Sequence, residues 1–465
     1  MNKFQKGAVA AGHKLTAEAA AAILREGGTA IDAGIAALAM ACVCEPVLAS
    51  PGGGGFAMLR NGATGDVSLV DFFPQTPIHR RQPGANGFEE IVADFGTATQ
   101  RFHIGPATVA TPGFFAGIDA LHEAGATASL SDLFEPAMKA AREGVIVTPY
   151  QAYLSTVVKP ILTATGPAAE LFAPGGDVVA AGRAFRNPGL ADAFDHAARE
   201  GFADGELGGE LLRMQKETGN LTAGDLQAYK AEHRQPLTIT LGTSTVHLNP
   251  LPAASGTIIA YALGHTAGTR PLDMARALDE ADRARREAGG DLSKLIARPI
   301  RQKGTTHISV VDVDGNACSI TVSNGEGNGE IVNGFGFMPN NILGEEDVNP
   351  FGSGDWPCNA RLASMMCPAI VTGEGGRLDV LGSGGSNRIR SAIFQTVTRL
   401  CLNNEDLRDA VTAPRMHIEG GHLDFEDLFQ SDDADGLRAA FSDHRAWPEP
   451  NMFFGGVHAV NRCKD

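Results

Sequence analysis

The segments Thr305–Val313, Asp314-Gly315 and Ala317–Ser323 read as one β-hairpin, and the residue that opens it constrains this chain most. Gly304-Thr305-Thr306-His307-Ile308-Ser309-Val310-Val311-Asp312 sets a Thr directly before a strand pattern, far from either end of 465 residues. An ordinary strand residue is one reading, since Thr is a good strand former. In the other, the chain cuts itself at Gly304–Thr305. Thr305 then carries a free α-amine beside its own hydroxyl. Such an amine titrates near neutrality and reaches the nucleophile as a general base. An N-terminal Thr is one recognised way to activate a hydroxyl for acyl transfer.

Two further features support the second reading. A hairpin turning at Asp314-Gly315 brings its open ends together, so Ser323 approaches Thr305 and can hydrogen-bond its hydroxyl. Gly382-Ser383-Gly384-Gly385-Ser386 forms a turn after one strand and before a helix, where backbone N–H groups can hold an oxyanion. A helix-capping turn explains the same residues. His307 reads as a satisfied core or interface histidine. The Gly52–Gly55 run lacks a P-loop's Gly-Lys-Ser/Thr ending and reads as a tight turn or a close approach of backbones. Glu345-Glu346-Asp347 is an acidic cluster after Asn340-Asn341 and, on composition, a solvated turn.

Composition excludes several classes. A net charge of −16 disfavours nucleic acid and anionic membranes as partners. Seven cysteines are too few and too scattered for a disulfide scaffold, and no Cys/His spacing matches a zinc site. The most apolar run, Ala33–Ala49, contains Glu45 and Pro46 and is too short to span a bilayer. Met1–Lys6 leads into no hydrophobic secretion core, so a cytoplasmic location is expected unless a signal has been trimmed.

Along the chain, Thr16 is expected to cap a helix over Ala17–Glu26, and Thr29 with Asp32 to form a capping box opening a helix to Cys44. Phe56–Arg60 and Asp66–Asp71 read as strands about Asn61-Gly62. His79–Gly105 reads as a long loop. Helices are expected at Gly113–Glu123 and Ser131–Glu143, and a mostly helical middle runs to Tyr229. Leu237–Leu248 alternates like a strand. Helices follow at Ala254–Gly264 and Asp273–Glu287, then a polar, basic lead-in from Gly289 to Lys303. A strand ends near Leu381, and a helix runs from Asn387 to Leu402. The pattern is compatible with an αββα arrangement without selecting it over other mixed folds.

At these residues the chain resembles the γ-glutamyltranspeptidase family of N-terminal nucleophile hydrolases. His13–Phe56 with Glu45-Pro46 and the glycine run looks like the family's opening. Thr111-Pro112-Gly113, Pro136-Ala137 with Arg142-Glu143-Gly144, Leu221–Tyr229 and Pro250–Gly256 follow in family order. Thr305–Asn316 matches the nucleophile segment, and Cys367–Val371 and Gly382–Ile389 complete the set.

The resemblance implies an α+β fold, a four-layer αββα sandwich shared by two autoproteolytic chains. The large-chain region is 1–304, with its lead-in at 289–304, and the small-chain region is 305–465. The two fragments stay associated. No metal or organic cofactor is implied. Thr305 attacks an amide carbonyl of a small carboxylate-bearing substrate, such as glutathione or another γ-glutamyl compound, to form an acyl-enzyme. A related amidase acting on oxamate or an acylated β-lactam, or a non-catalytic binding descendant, is the alternative. Ser323 corresponds to the hydroxyl supporting the nucleophile, Asn324 to the substrate-binding Asn, and Gly384 and Gly385 to the oxyanion turn, with Ser386 one register away. Glu345 stands where the family's Asp meets the substrate's α-amine. The paired carboxylate-binding serines become Ser364 and Met365. The family's arginine clamp has no clean match, and Arg80, Arg81 and Arg101 are its candidates.

Overall fold

The computed structural model describes residues 6–80, 87–94, 99–287, 304–345 and 356–462. Arg81, Glu346, Asp347 and the lead-in at 289–303 lie outside them. Two antiparallel sheets face each other. The six-stranded sheet runs Gly7–Ala11, Thr305–Asp312, Ala317–Ser323, Gly54–Arg60, Val67–Phe72 and Glu232–Arg234. The five-stranded sheet runs Gly456–Arg462, Leu378–Gly384, Ala369–Gly373, Ser244–Leu248 and Leu237–Leu241. Helices Lys14–Glu26 and Ala30–Cys44 cover the outer face of the first sheet. Helices Ala254–His265 and Arg388–Leu402 cover that of the second. This is the expected αββα sandwich.

Local chemistry explains the elements that carry the site. Thr29 caps Ala30–Cys44 with the capping box to Asp32. Fourteen of that helix's fifteen residues are buried, so it packs as an inner layer rather than as a surface amphipath. Asp312 organises the hairpin turn. Its carboxylate accepts from the backbone N–H groups of Asp314 and Asn316, both at 2.9 Å, and from that of Ala30 at 3.0 Å. One side chain thus closes the hairpin and satisfies a donor at a helix start. The loop has three residues, Val313-Asp314-Gly315, rather than the two expected, because Asp312 and Asn316 still pair beyond Val311↔Ala317.

Other expectations shift for physical reasons. His13, not Thr16, caps the first helix, which begins at Lys14. Thr16 is fully buried instead. Leu237–Leu248 is two strands paired about a turn at Gly242, whose φ is +63°. The alternation carries across the turn and hides it. The expected loop at His79–Gly105 contains a hairpin of Glu89–Asp94 with Thr99–Ile104. No helix among the described residues is long and apolar enough to cross a membrane.

Between the sheets lies a polar seam. His307 is wholly buried, with Nδ1 2.8 Å from Thr321 Oγ1 and Nε2 2.9 Å from Ser309 Oγ. Burial, with His458 adding repulsion, holds its imidazole well below the ordinary pKa and hence neutral. The ring is a satisfied inter-sheet histidine, as its place in the strand suggested. It packs on Gly382, and a Cβ there would fall inside contact distance of the ring. Gly382→Ala should therefore destabilise the fold by about 2 kcal/mol through overpacking, measured by denaturant unfolding. A change of under ~0.5 kcal/mol would mean that the sheets separate easily at this point.

Candidate active site

Thr305 and Ser323 are direct partners across the hairpin. The Ser323 hydroxyl donates to the Gly304 carbonyl at 2.6 Å and accepts from the Gly325 N–H at 3.1 Å. The hydroxyl expected to reach the Thr305 side chain therefore engages the carbonyl on the other side of the Gly304–Thr305 peptide. That carbonyl is a strong acceptor fixed directly across the strand pair. The Gly304 N–H donates to Glu326 Oε1 at 3.3 Å. Among the described residues the Thr305 hydroxyl has no hydrogen-bond partner. It is half-exposed at the wall of a cavity of about 340 Å³.

The glycine turn meets Thr305 from the opposite sheet. A Cβ at Gly384 would collide with the Thr305 carbonyl, so only glycine lets the two strands approach this closely. Gly384 and Gly385 both line the cavity, and helix Arg388–Leu402 starts three residues on. Ser386 holds a positive φ of +55°, an uncommon conformation for a residue with a side chain. Strand end, turn and helix start thus come together beside Thr305, an arrangement whose backbone N–H groups suit an oxyanion.

The recognition residues separate into near and far. Glu345 is near. Gly325 lies between it and the Gly304–Thr305 junction, with its carbonyl against Gly304 and its α-carbon against the Glu345 carboxylate and the Asn341 amide. Asn341 holds this corner by accepting from the Glu326 N–H at 3.0 Å and donating to the His103 carbonyl at 3.1 Å. Asn324 sits beside the site, but its amide donates to the Met338 and Pro339 carbonyls at 3.2 and 3.4 Å. It supports a loop in this conformation. Ser364 accepts from the Met366 N–H at 3.1 Å and lies beside the start of helix Ala254–His265. Arg80 is exposed, donates to the Trp356 carbonyl at 3.4 Å and lies over the Trp356 ring. Arg101 faces Glu90 at 3.6 Å. Among the described residues the cavity wall includes none of Asn324, Glu345, Ser364 and Arg80.

The wall does include groups that sequence reasoning left without a role. Glu45 is 1% exposed and accepts from the Thr306 hydroxyl at 3.1 Å. An acid directly after the apolar run Ala33–Cys44 is the available signal. Tyr150, Tyr153, Leu154 and Val157 recur at helical spacing on Pro149–Val157 and face the cavity. Their stripe was legible, but what it faces was not.

The fold is the four-layer sandwich of N-terminal nucleophile hydrolases. A family model described as gamma-glutamyltranspeptidase matches residues 16–285 and 273–465. The chain belongs to the γ-glutamyltranspeptidase family. It is 28% identical to a glutathione hydrolase proenzyme of Pseudomonas aeruginosa, covering 88% of this chain and 82% of that protein. It is likewise 28% identical to an acylase ACY 1 proenzyme of a Pseudomonas species, covering 98% and 89%. The crystal structure of a cephalosporin acylase from Bacillus halodurans superposes with a TM-score of 0.81 at 22% identity, covering 100% and 96%, and shares the fold.

Burial raises the Glu45 carboxyl to about 7, against the lowering effect of the hydrogen bond from Thr306. A raised acid keeps in the native state a proton that the unfolded chain releases. Stability is thus lost as pH rises from the ordinary carboxylate range toward 7. Glu45→Gln keeps an acceptor for Thr306 and cannot ionise. Its stability relative to the parent should improve by about 3 kcal/mol between pH 5 and pH 8, read by denaturant unfolding at both. An equal difference at both pH values would show that Glu45 titrates normally.

Proposed function

We propose that this chain is a precursor that cuts itself between Gly304 and Thr305, giving fragments 1–304 and 305–465 that remain one molecule. The mature enzyme is a Thr hydrolase or acyltransferase acting on an amide of a small carboxylate-bearing substrate, with γ-glutamyl compounds such as glutathione first among them. The observation that carries this reading is that Thr305 and Gly384 meet at one cavity while Ser323, paired with Thr305 across the hairpin, bonds the Gly304 carbonyl. The proenzyme names of the relatives agree with processing.

In the uncut chain the Thr305 hydroxyl adds to the Gly304 carbonyl carbon. The Ser323 hydroxyl, already bonded to that carbonyl oxygen, stabilises the negative charge that develops there. Collapse moves the acyl group from nitrogen to oxygen, and water hydrolyses the ester. Thr305 now holds a free amine, and Ser323 loses the acceptor at Gly304 and becomes free to support the Thr305 hydroxyl. In turnover the amine takes the hydroxyl proton as oxygen attacks the substrate amide. The substrate oxyanion faces the Gly384–Gly385 turn, and the proton passes to the departing amine. Water or a second amine then takes the acyl group. Glu345, close behind Gly325, is the residue for an ammonium group on the acyl half.

A second reading, acylase action on a different acyl group, is favoured by one observation. Met365 stands beside Ser364 where a second hydroxyl would meet a substrate carboxylate, and its sulfur instead takes the Ser255 hydroxyl at 3.9 Å. Thr305→Ala should leave one uncut, inactive chain on a denaturing gel. Ser323→Ala should slow cutting by roughly 10²–10³-fold, the usual cost of one oxyanion donor. Cutting at the parental rate in Ser323→Ala would remove that hydroxyl from the mechanism. Hydrolysis of γ-glutamyl-p-nitroanilide separates the substrate readings, and its failure in cut protein would favour the acylase.

A further inference from the structure

The wall of the cavity at Thr305 carries a cluster of apolar side chains and does not include Glu345. Gly304 packs against the carbonyls of Val47 and Gly325. Behind Gly325 is Glu345. With Val47 in the cavity wall, Tyr150, Tyr153, Leu154 and Val157 present one stripe of helix Pro149–Val157. Leu48 and Met452 add to the same chamber.

The rim is apolar as well. Tyr150, Tyr153 and Met452 are 39%, 46% and 47% exposed, three large apolar side chains left in water around one opening. Clustered exposure of this kind marks a surface meant to be covered. The charged groups of the chamber are engaged elsewhere. Glu326 accepts from the Gly304 N–H. Arg388 donates to the Phe453 carbonyl at 2.9 Å and lies 4.8 Å from the Phe453 ring centre. Glu45 bonds Thr306, and its second oxygen is sealed from solvent. A chamber of about 340 Å³ falls within the range of small-molecule sites, and apolar lining rewards apolar occupants in proportion to the area they bury.

We propose that this chamber makes the enzyme select amides whose amine half carries an apolar group, branched aliphatic or aromatic, the size of a leucine or phenylalanine side chain. This deepens the reading above and rests on its placement of the acyl half toward Glu345. The nucleophile supplies the chemistry, while helix Pro149–Val157 supplies the preference for the departing or accepting amine.

Calorimetric titration of the cut full-length protein tests this without turnover. The ligands are acetyl-glycinamide, acetyl-leucinamide and acetyl-phenylalaninamide, which share one acyl group and differ in the amine half. The leucine and phenylalanine ligands should bind at least ~10-fold more tightly than the glycine one. The double variant Tyr150→Ser/Tyr153→Ser should bring all three within about threefold. Both tyrosines are partly exposed, and an unchanged melting temperature together with normal cutting confirms that the variant folds. Leu154→Trp, which fills the chamber from within, should weaken the two larger ligands most. Equal binding of the three ligands, or a preference that survives the double variant, overturns the proposal. Labelling of Thr305 by p-nitrophenyl acetate is read separately. Unlabelled Thr305 with the ligand preference intact would sink the hydrolase reading and leave the apolar chamber standing.

Discussion

The register that pairs Thr305 with Ser323 is the constraint on which the site depends. Side chains alternate along the strand. Thr305, His307 and Ser309 turn to the opposite sheet, whereas Ile308 and Val310 enter the core beneath the helices. A slip by one residue would drive Thr305 into that core and expose its apolar neighbours to the polar seam. The register is held from both sides and at the turn. Gly7–Ala11 pairs one edge of the hairpin, Gly54–Arg60 the other, and Asp312 binds the turn to a helix start. The Thr305 hydroxyl is thereby fixed by a deeply buried strand pair.

Legibility in the sequence followed the range of the interactions. The capping box of Thr29 and Asp32 and the pairing of Thr305 with Ser323 depend on short spacings, so the residues themselves announce them. Thr16 looks like a cap by the same logic, but it lies buried under Glu45 and His13 takes its place. The hairpin of Glu89–Asp94 with Thr99–Ile104 reads as loop because its apolar face is only Ile91, Phe102 and Ile104, set among polar residues. The corner of Gly325, Asn341 and Glu345 could be ordered only by family likeness. The chamber could not be anticipated at all, because Tyr150 and Thr305 meet only after the helical excursion folds back over the sheet ends.

The groups proposed for catalysis and those proposed for recognition stand on different parts of the chain. The groups suited to acyl transfer stand on paired strands and on one glycine turn between strand and helix. The groups proposed around the substrate come from outside the sheets, namely the short turn at Glu345, the loop after Glu45, helix Pro149–Val157 and the turn at Met452. Connections accept substitution more readily than paired strands. That division fits a chain that keeps Thr305, Ser323 and the glycine turn together while Arg80 lies against Trp356 and Met365 takes the Ser255 hydroxyl. It also accords with relatives named both as glutathione hydrolases and as acylases.

The central claim is that Thr305 becomes a chain terminus and carries the acyl group. Peptide mapping of protein trapped with an acylating probe tests it most directly. The expected result is a fragment beginning Thr305-Thr306-His307, with the acyl mass on its first residue. An adduct on any other side chain, or a fragment whose first residue is not Thr305, would contradict it.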